Sequence, residues 1–123
     1  MSDAITQTVA LVIVGKPVPL QRSRTSSGRH YLPARSRAYR SLIQTTWLAA
    51  GRPTLGDRPF TASLRFIGAR ANADVSNLAK AVEDALNGCA YRDDRQVVRL
   101  DAVKLPADAH GPRCEVELRV CDR

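Results

Sequence analysis

The arrangement of apolar and polar positions along the chain predicts four β-strands. Residues 8–14 (TVALVIV) are apolar after the threonine and rich in β-branched side chains, which is typical of a strand buried on both faces. Apolar and polar side chains alternate over residues 60–67, as in a half-buried strand. Residues 96–105 and 113–121 predict the third and fourth strands. Because residues 106–112 form only a short turn between them, we expect these two strands to make a hairpin.

Two segments between the strands have apolar residues at helical spacing. The first predicted helix follows a cap at Ser36 and ends at Ala50, and the second covers about residues 77–86 with Ser76 as its cap. The resulting order, β-α-β-α-β-β, predicts an α+β fold, namely a two-layer α/β sandwich with a mixed sheet. The length of 123 residues indicates one domain over residues 1–123.

A polar, arginine-rich stretch separates the first strand from the first helix. Residues 16–37 are rich in proline, serine and glycine, so we expect an irregular or mobile loop. The net charge of the chain is +7, and residues 4–56 contain 8 basic and no acidic side chains. This asymmetry predicts an anionic partner such as DNA, although a charged run can also be merely solvated. The predicted DNA-binding residues are Lys16, Arg22, Arg24, Arg29, Arg35 and Arg37.

The composition argues against several other classes of protein. No run of about 18 apolar residues is present, and the first residues, MSDAITQT, lack the pattern of a secretory signal. The 3 cysteines are widely spaced, which predicts neither a disulfide framework nor a zinc site. We therefore expect a cytoplasmic protein with reduced thiols and no contact with a membrane.

The candidate chemistry lies in residues 74–96. Asp74 precedes the second predicted helix, and Asp93 and Asp94 follow it in the connection to the third strand. If the chain folds back, the three carboxylates come together, and a hard cation such as Mg²⁺ or Mn²⁺ would offset their repulsion. Such an ion can activate water for attack on a phosphodiester, and Lys80 could stabilise the developing charge. The spacing therefore favours a metal-dependent nuclease.

Each of these residues also has a purely structural interpretation. Asp74 can act only as a partner of the helix dipole. The pair Asp93 and Asp94 can form a solvated turn with local arginine pairing. Lys80 and Asp84 are four residues apart on one helical face, as in a surface ion pair. Spacing alone leaves these alternatives open.

Three short motifs resemble the signature of the RusA family of Holliday-junction resolvases, which are common in bacteria and prophages. The family's D-x-D-N-x-x-K element matches DVSNLAK at residues 74–80. A helix ending in D-A-L-N-G matches residues 84–88, and a following D-D-x-Q matches residues 93–96. GKPVP at residues 15–19, with the basic stretch after it, is similar to the family's G-x-P and basic loop. The resemblance covers nearly the whole chain.

The resemblance implies a small Mg²⁺-dependent homodimer (with Mn²⁺ as a possible substitute) that binds branched double-stranded DNA. Such a dimer resolves four-way junctions by paired symmetric nicks during DNA recombination and repair. Carried over by position, the catalytic residues would be Asp74, Lys80, Asp93 and Asp94, the metal ligands Asp74, Asp93 and Asp94, and the supporting residues Asn77 and Asp84.

One position departs from the family pattern. The second acid of the D-x-D-N element is Ser76 in this chain. A hydroxyl is a weaker and neutral ligand, so Ser76 can bind the metal directly or through water, cap the helix, or lower metal affinity. The alternative function is therefore a junction-binding protein with weakened or absent catalysis. A basic RNA-binding module is a third hypothesis.

Overall fold

The computed structural model describes residues 5–21, 24–26 and 28–121 of the chain. Its elements in chain order are β1 (Ile5–Val14), β2 (Arg24–Ser26), β3 (Arg29–Tyr31), α1 (Ala34–Ala50), β4 (Phe60–Ile67), α2 (Val75–Leu86), a 3₁₀ helix (Asp94–Gln96), β5 (Val97–Leu105) and β6 (Arg113–Cys121). The mixed four-stranded sheet and the two helices confirm the predicted α+β arrangement. Within the described ranges, no helix is long and apolar enough to cross a membrane.

The four long strands lie in the order β1-β6-β4-β5. β6 is antiparallel to both of its neighbours, whereas β4 and β5 are parallel. The predicted hairpin between the last two strands is therefore wrong, because β4 lies between them. The two strands also differ in burial. β6 has a complete row of buried side chains, as a central strand requires, but β5 has no fully buried residue and forms an edge.

The core lies between one face of this sheet and the two helices. Buried side chains alternate along β4 and β6, as the period of two predicted. The expectation that β1 is buried on both faces is wrong, because Val12 and Val14 are 48% and 74% exposed on the uncovered face. The main core residues are Val9, Leu11, Ile13, Ile43, Trp47, Phe60, Leu64, Phe66, Leu78, Val82, Val116 and Leu118.

Both helices begin earlier than predicted, and their caps differ. α1 starts at Ala34 after Pro33, and Ser36 is buried in its first turn, where its hydroxyl accepts a hydrogen bond from the Gln21 N–H at 3.0 Å. The fixed backbone angle of Pro33 suits a helix start. The helix therefore begins without the Ser36 hydroxyl as its cap, and this hydroxyl makes a tertiary contact instead. α2 is capped by Asp74, two residues before the predicted cap at Ser76.

Part of the basic stretch between β1 and α1 forms regular structure. β2 and β3 form an antiparallel hairpin in which Arg24 pairs with Tyr31 and Ser26 with Arg29. Gly28 has a φ of +77°, which permits the tight turn. The prediction of an irregular loop is therefore wrong for this hairpin. On the β1 side, the Leu20 N–H donates to the Asn77 carbonyl at 2.9 Å, which holds the start of the stretch against α2.

Candidate functional site

The first end of α2, meaning the helix start at Asp74 and the loop before it, carries the first predicted acid. The Asp74 carboxylate accepts a hydrogen bond from the Ser76 N–H at 2.9 Å and so caps the helix. From β5, the Lys104 ammonium donates to the carbonyls of Ala71 and Ala73, both at 2.8 Å. Asp74 is thus fixed by its own helix, and it remains exposed to solvent, while a cation on the sheet holds the loop before it.

The outer face of α2 carries Asn77, Lys80 and Asp84. Asn77 is half-buried, while Lys80 and Asp84 are exposed. Asp84 accepts a hydrogen bond from the Arg40 guanidinium of α1 at 2.7 Å, so this pair replaces the i, i+4 pair suggested by the sequence. Asp84 therefore links the two helices, whereas Lys80 extends into solvent.

The acidic turn, defined as residues 92–96, lies beyond the far end of α2. The Asp93 carboxylate accepts a hydrogen bond from the Arg95 N–H at 2.9 Å, and the Gln96 side chain accepts one from the Asp93 N–H at 2.8 Å. Together these bonds form a capping box around the 3₁₀ helix. Asp93 is half-buried and Asp94 is exposed. The two acids are therefore held by a compact local structure.

Two residues that were not predicted from the sequence, Tyr91 and Glu83, lie beside Asp94. The buried Tyr91 hydroxyl lies 2.8 Å from an Asp94 carboxylate oxygen and 3.1 Å from the Glu83 carbonyl, so its one proton is shared between two acceptors. Burial, followed by the hydrogen bond to Asp94, raises the pKa of Tyr91 far above its usual range. The Tyr91 ring contacts Phe60, with 4.7 Å between the ring centroids. The apolar core thus supplies the group that orients Asp94.

Glu83 is the second of these residues. Burial raises the pKa of its carboxyl, the charge of Asp94 raises it further, and the charge of Lys80 lowers it. Glu83, Asp94 and Lys80 therefore belong to one electrostatic neighbourhood. The sequence did indicate Glu83 as a candidate, because it lies three residues after Lys80 and therefore beside it on the surface of α2.

The structure does not bring Asp74 to the acidic turn. α2 connects the parallel strands β4 and β5, so it must run the length of the sheet and separate its two ends. Glu83, beside Asp94, is nine residues beyond Asp74, or about 13 Å along the helix axis. Among the residues described, no three acidic, cysteine or histidine side chains are arranged to hold a metal ion. The described donors of a single chain therefore do not fit a three-carboxylate metal site.

The described members of the predicted DNA-binding set lie in the basic stretch and in the first turn of α1. Lys16 and Arg29 are exposed in the basic stretch, and Arg35 and Arg37 are exposed in the first turn of α1. Arg24 lies in β2, and Arg22 is outside the described residues. Hydrogen bonds from residues 20 and 21 to Asn77 and Ser36 hold this region against the starts of both helices. The described part of the basic stretch therefore contacts α2 at Asn77, three residues after Asp74.

Comparison with protein families provides an independent test of the resemblance. The family model for the endodeoxyribonuclease RusA matches residues 14–119. A comparison with curated proteins gives no match. The matched region begins at the end of β1 and extends into β6, so it includes the basic stretch, both helices and the acidic turn. The chain therefore belongs to the RusA family of endodeoxyribonucleases, which resolve Holliday junctions in DNA recombination.

Proposed function

We propose that the chain is a structure-selective nuclease that cuts four-way DNA by paired symmetric nicks, acting as a Mg²⁺-dependent homodimer in the cytoplasm during recombination and repair. The single observation that carries the proposal is the pairing of exposed acids at both ends of α2 with an acid-free basic region next to one of them. An acidic site alone would repel DNA, and the neighbouring cations offset that repulsion.

The exposed cations are suited to backbone recognition. Arginine presents a planar set of donors that matches phosphate oxygens, and such contacts carry no base sequence information. Arg29 on β3 and Arg35 and Arg37 on α1 offer these groups from two different elements. Recognition of junction shape through phosphates is the mode that this arrangement favours.

A homodimer would also resolve the separation of the acids. Because the first end of α2 and the acidic turn are far apart in one chain, a two-fold axis across α2 can place the first end of one copy near the acidic turn of the other. A four-way junction has matching two-fold symmetry, so two such sites would cut opposite strands. Mg²⁺ or Mn²⁺, bound by carboxylates from the two copies with Ser76 as a further candidate ligand, would supply charge stabilisation and an activated water.

The chain's own residues prepare the site for this chemistry. Tyr91 fixes one oxygen of Asp94, and the Ser76 N–H fixes one oxygen of Asp74. Fixed carboxylates need little reorganisation when charge develops on the phosphate. The exposed Lys80 ammonium is free to approach a phosphate bound along the outer face of α2.

Cleavage of a synthetic four-way junction tests the proposed function. We expect symmetric nicks in Mg²⁺ buffer, no nicks in EDTA, and no nicks by Asp93→Asn or Asp94→Asn with Mg²⁺. Sedimentation at micromolar concentration should show a dimer. Full activity of both variants, or a monomeric sedimentation coefficient for an active enzyme, would contradict the proposal.

A mixing experiment tests the contribution of two copies to one site. Asp74→Asn and Asp94→Asn chains, each inactive alone, are mixed under conditions that allow subunit exchange. If each site uses both copies, a mixed dimer has one intact site, and we expect nicks in one of the two strands. If nicking does not return although exchange is verified, the acids of each site come from a single chain.

Ser76 favours one second candidate, a junction-binding protein with little or no cleavage. Ser76 is exposed in the first turn of α2, beside Asp74, so an acid at this position would have access to the same region. Tight junction binding without cutting in Mg²⁺ or Mn²⁺ would support this candidate. Restoration of cutting by Ser76→Asp would show that the missing carboxylate is the reason for the lost cleavage. Efficient cutting by the unaltered chain would exclude this second candidate.

A further inference from the structure

One side-chain amide joins the acidic turn to the loop before β4. The Gln96 Oε1 atom accepts hydrogen bonds from the Arg92 N–H at 2.9 Å and the Asp93 N–H at 2.8 Å. The Gln96 Nε2 atom donates to the carbonyls of Gly56 at 3.0 Å and Arg58 at 2.8 Å. An amide offers two donors and two acceptor sites, so this set uses its whole capacity. Reversing the amide would oppose donor to donor and acceptor to acceptor, which fixes its orientation.

The partner loop is a firm anchor. Leu55 is fully buried, and its N–H donates to the Ala90 carbonyl at 2.8 Å. Next to the loop, the Pro59 carbonyl accepts a hydrogen bond from the Cys121 N–H at 2.9 Å, at the end of β6. The loop that receives the Gln96 amide is therefore tied to the core and to the sheet.

Gln96 anchors the acidic turn on the side that follows the acids, next to the pairing of Val97 with Phe60 in the sheet. The backbone bonds between the two segments involve Ala90 and Arg92, with the Arg92 N–H reaching the Gly56 carbonyl at 3.2 Å. Those bonds precede the acids, whereas Gln96 follows them. Asp93 and Asp94 are thus enclosed between two attachment points.

We propose that Gln96 is the positioning residue of the acidic turn, setting the direction of the Asp93 and Asp94 carboxylates through its bonds to Gly56 and Arg58. The inference rests on the proposed role of those acids in cleavage. Displacement of a reacting group by about 1 Å can reduce a rate about a hundredfold, so an anchor at this point affects catalysis more than binding.

Two substitutions distinguish the bonds made by the Gln96 amide oxygen from those made by its nitrogen. Gln96→Glu keeps an acceptor for the Arg92 and Asp93 N–H groups but sets a carboxylate against two carbonyls, so the turn keeps its cap and loses its anchor. Gln96→Leu removes both sets of bonds. Gln44→Leu is the matched control, because Gln44 makes one side-chain bond from α1 to the Ala85 carbonyl, at 3.1 Å, away from the acidic turn.

The experiment measures junction affinity, melting temperature, amide exchange and the cleavage rate with saturating enzyme and Mg²⁺, below the melting temperature of every variant. For both Gln96 variants we expect cleavage about tenfold to a hundredfold slower and affinity within about threefold of the unaltered chain. The Asp93 amide should remain protected from exchange in Gln96→Glu and lose protection in Gln96→Leu, whereas the Arg92 N–H keeps its bond to the Gly56 carbonyl in both variants. Gln44→Leu should lower the melting temperature but leave the cleavage rate within about twofold.

The outcomes distinguish this inference from the proposed function. If folded Gln96→Glu cleaves at the rate of the unaltered chain while Asp93→Asn and Asp94→Asn are inactive, the positioning role is wrong and the acids keep theirs. A fall in rate for Gln44→Leu equal to that for Gln96→Glu would also overturn the role, because it would attribute the loss to stability. If both aspartate variants cleave normally, the proposed site itself fails, and the positioning role with it. Should Gln96→Leu not fold, Gln96→Glu alone decides between these results.

Discussion

The two ends of α2 hold their acids by different physical means. At the first end, Asp74 is fixed by the helix backbone itself, and the Lys104 side chain ties the preceding loop to β5. At the far end, the acidic turn is held by Gln96 and by the buried Tyr91 hydroxyl, both of which connect it to the body of the protein. The first end depends on a helix cap and one cation, whereas the far end depends on an uncharged side-chain amide and on the hydroxyl of a buried tyrosine.

This difference shows how one helix can present two acids without bringing them together. A capped helix start carries partial positive charge that stabilises a carboxylate in solvent. The far end of a helix carries partial negative charge, which does not stabilise a carboxylate, so acids near that end need a separate turn to hold them. Each of the following changes affects one end and leaves the other as a reference.

The largest expected effect comes from removing a charge at each end. Asp74→Asn and Asp94→Asn should each reduce junction cleavage about a hundredfold or more, because neither amide replaces the negative charge. Both should keep their melting temperatures, since asparagine caps a helix as well as aspartate does and can accept the Tyr91 hydrogen bond. Asp57→Asn, at an exposed position whose pair with Arg92 spans 3.9 Å, is the control and should remain active. Loss of cleavage in only one of the two variants would show that the other aspartate is not part of the site.

A smaller effect is expected from releasing the loop at the first end. Lys104→Met leaves the Ala71 and Ala73 carbonyls without their donor, which should lower the free energy of unfolding by about 1–3 kcal/mol. Chemical denaturation measures this change, and Lys104→Arg should recover part of it. Amide exchange should increase near residue 73 but not in the acidic turn. Equal increases in both regions would mean that the two ends are coupled.

Tyr91→Phe makes the corresponding change at the far end. The Glu83 carbonyl keeps its helical bond from the Asn87 N–H, so the loss should be about 1 kcal/mol in the free energy of unfolding. Because Asp94 loses its fixed hydrogen bond, cleavage should slow several-fold while junction affinity is unchanged. An unchanged cleavage rate in the folded variant would show that the hydroxyl does not orient Asp94.

The smallest effect concerns the charge of Glu83. Burial and Asp94 raise the pKa of its carboxyl in the folded protein, so the ionised form destabilises the fold at neutral pH. Glu83→Gln should therefore raise the melting temperature slightly at pH 7, and the gain should disappear as the pH falls below the usual value of 4.5. A gain that persists at low pH would attribute the effect to packing instead of charge.

Prediction from sequence was most accurate where one pattern had one interpretation. The bounds of β4 and β6 follow from strict alternation, since a strand with one covered face requires apolar side chains at every second position. Helix caps were less certain, because Asp74, like Ser76, is a good capping residue, and the aspartate two positions earlier forms the cap. Ser36 was predicted to cap α1, but it is buried, and its hydroxyl accepts a hydrogen bond from the Gln21 N–H. Helical spacing does not reveal this contact, because Gln21 lies 15 residues earlier in the chain.

The candidate site was predicted only in part for a related reason. The acids and Lys80 were identified from motif and spacing, but Tyr91 and Gln96 gain their roles from contacts that spacing does not encode. Glu83 was missed although it lies three residues after Lys80 on α2. Gln96 bonds to a carbonyl 40 residues earlier in the chain, and only the tertiary structure brings the two together. The predicted hairpin of β5 and β6 failed because a short connection between two strands does not by itself make them pair, and β4 lies between them.

The sequence by itself determined the class of fold, most strand and helix positions, the charge asymmetry and the motifs of the family. These properties are local, since they depend on residue type and on periods of two or 3.6 residues. The tertiary structure alone decided that β4 separates β5 from β6 and that α2 separates Asp74 from the acidic turn. The physical reason is that parallel strands need a connection as long as the sheet, so acids close to the two ends of that connection lie apart in a single chain.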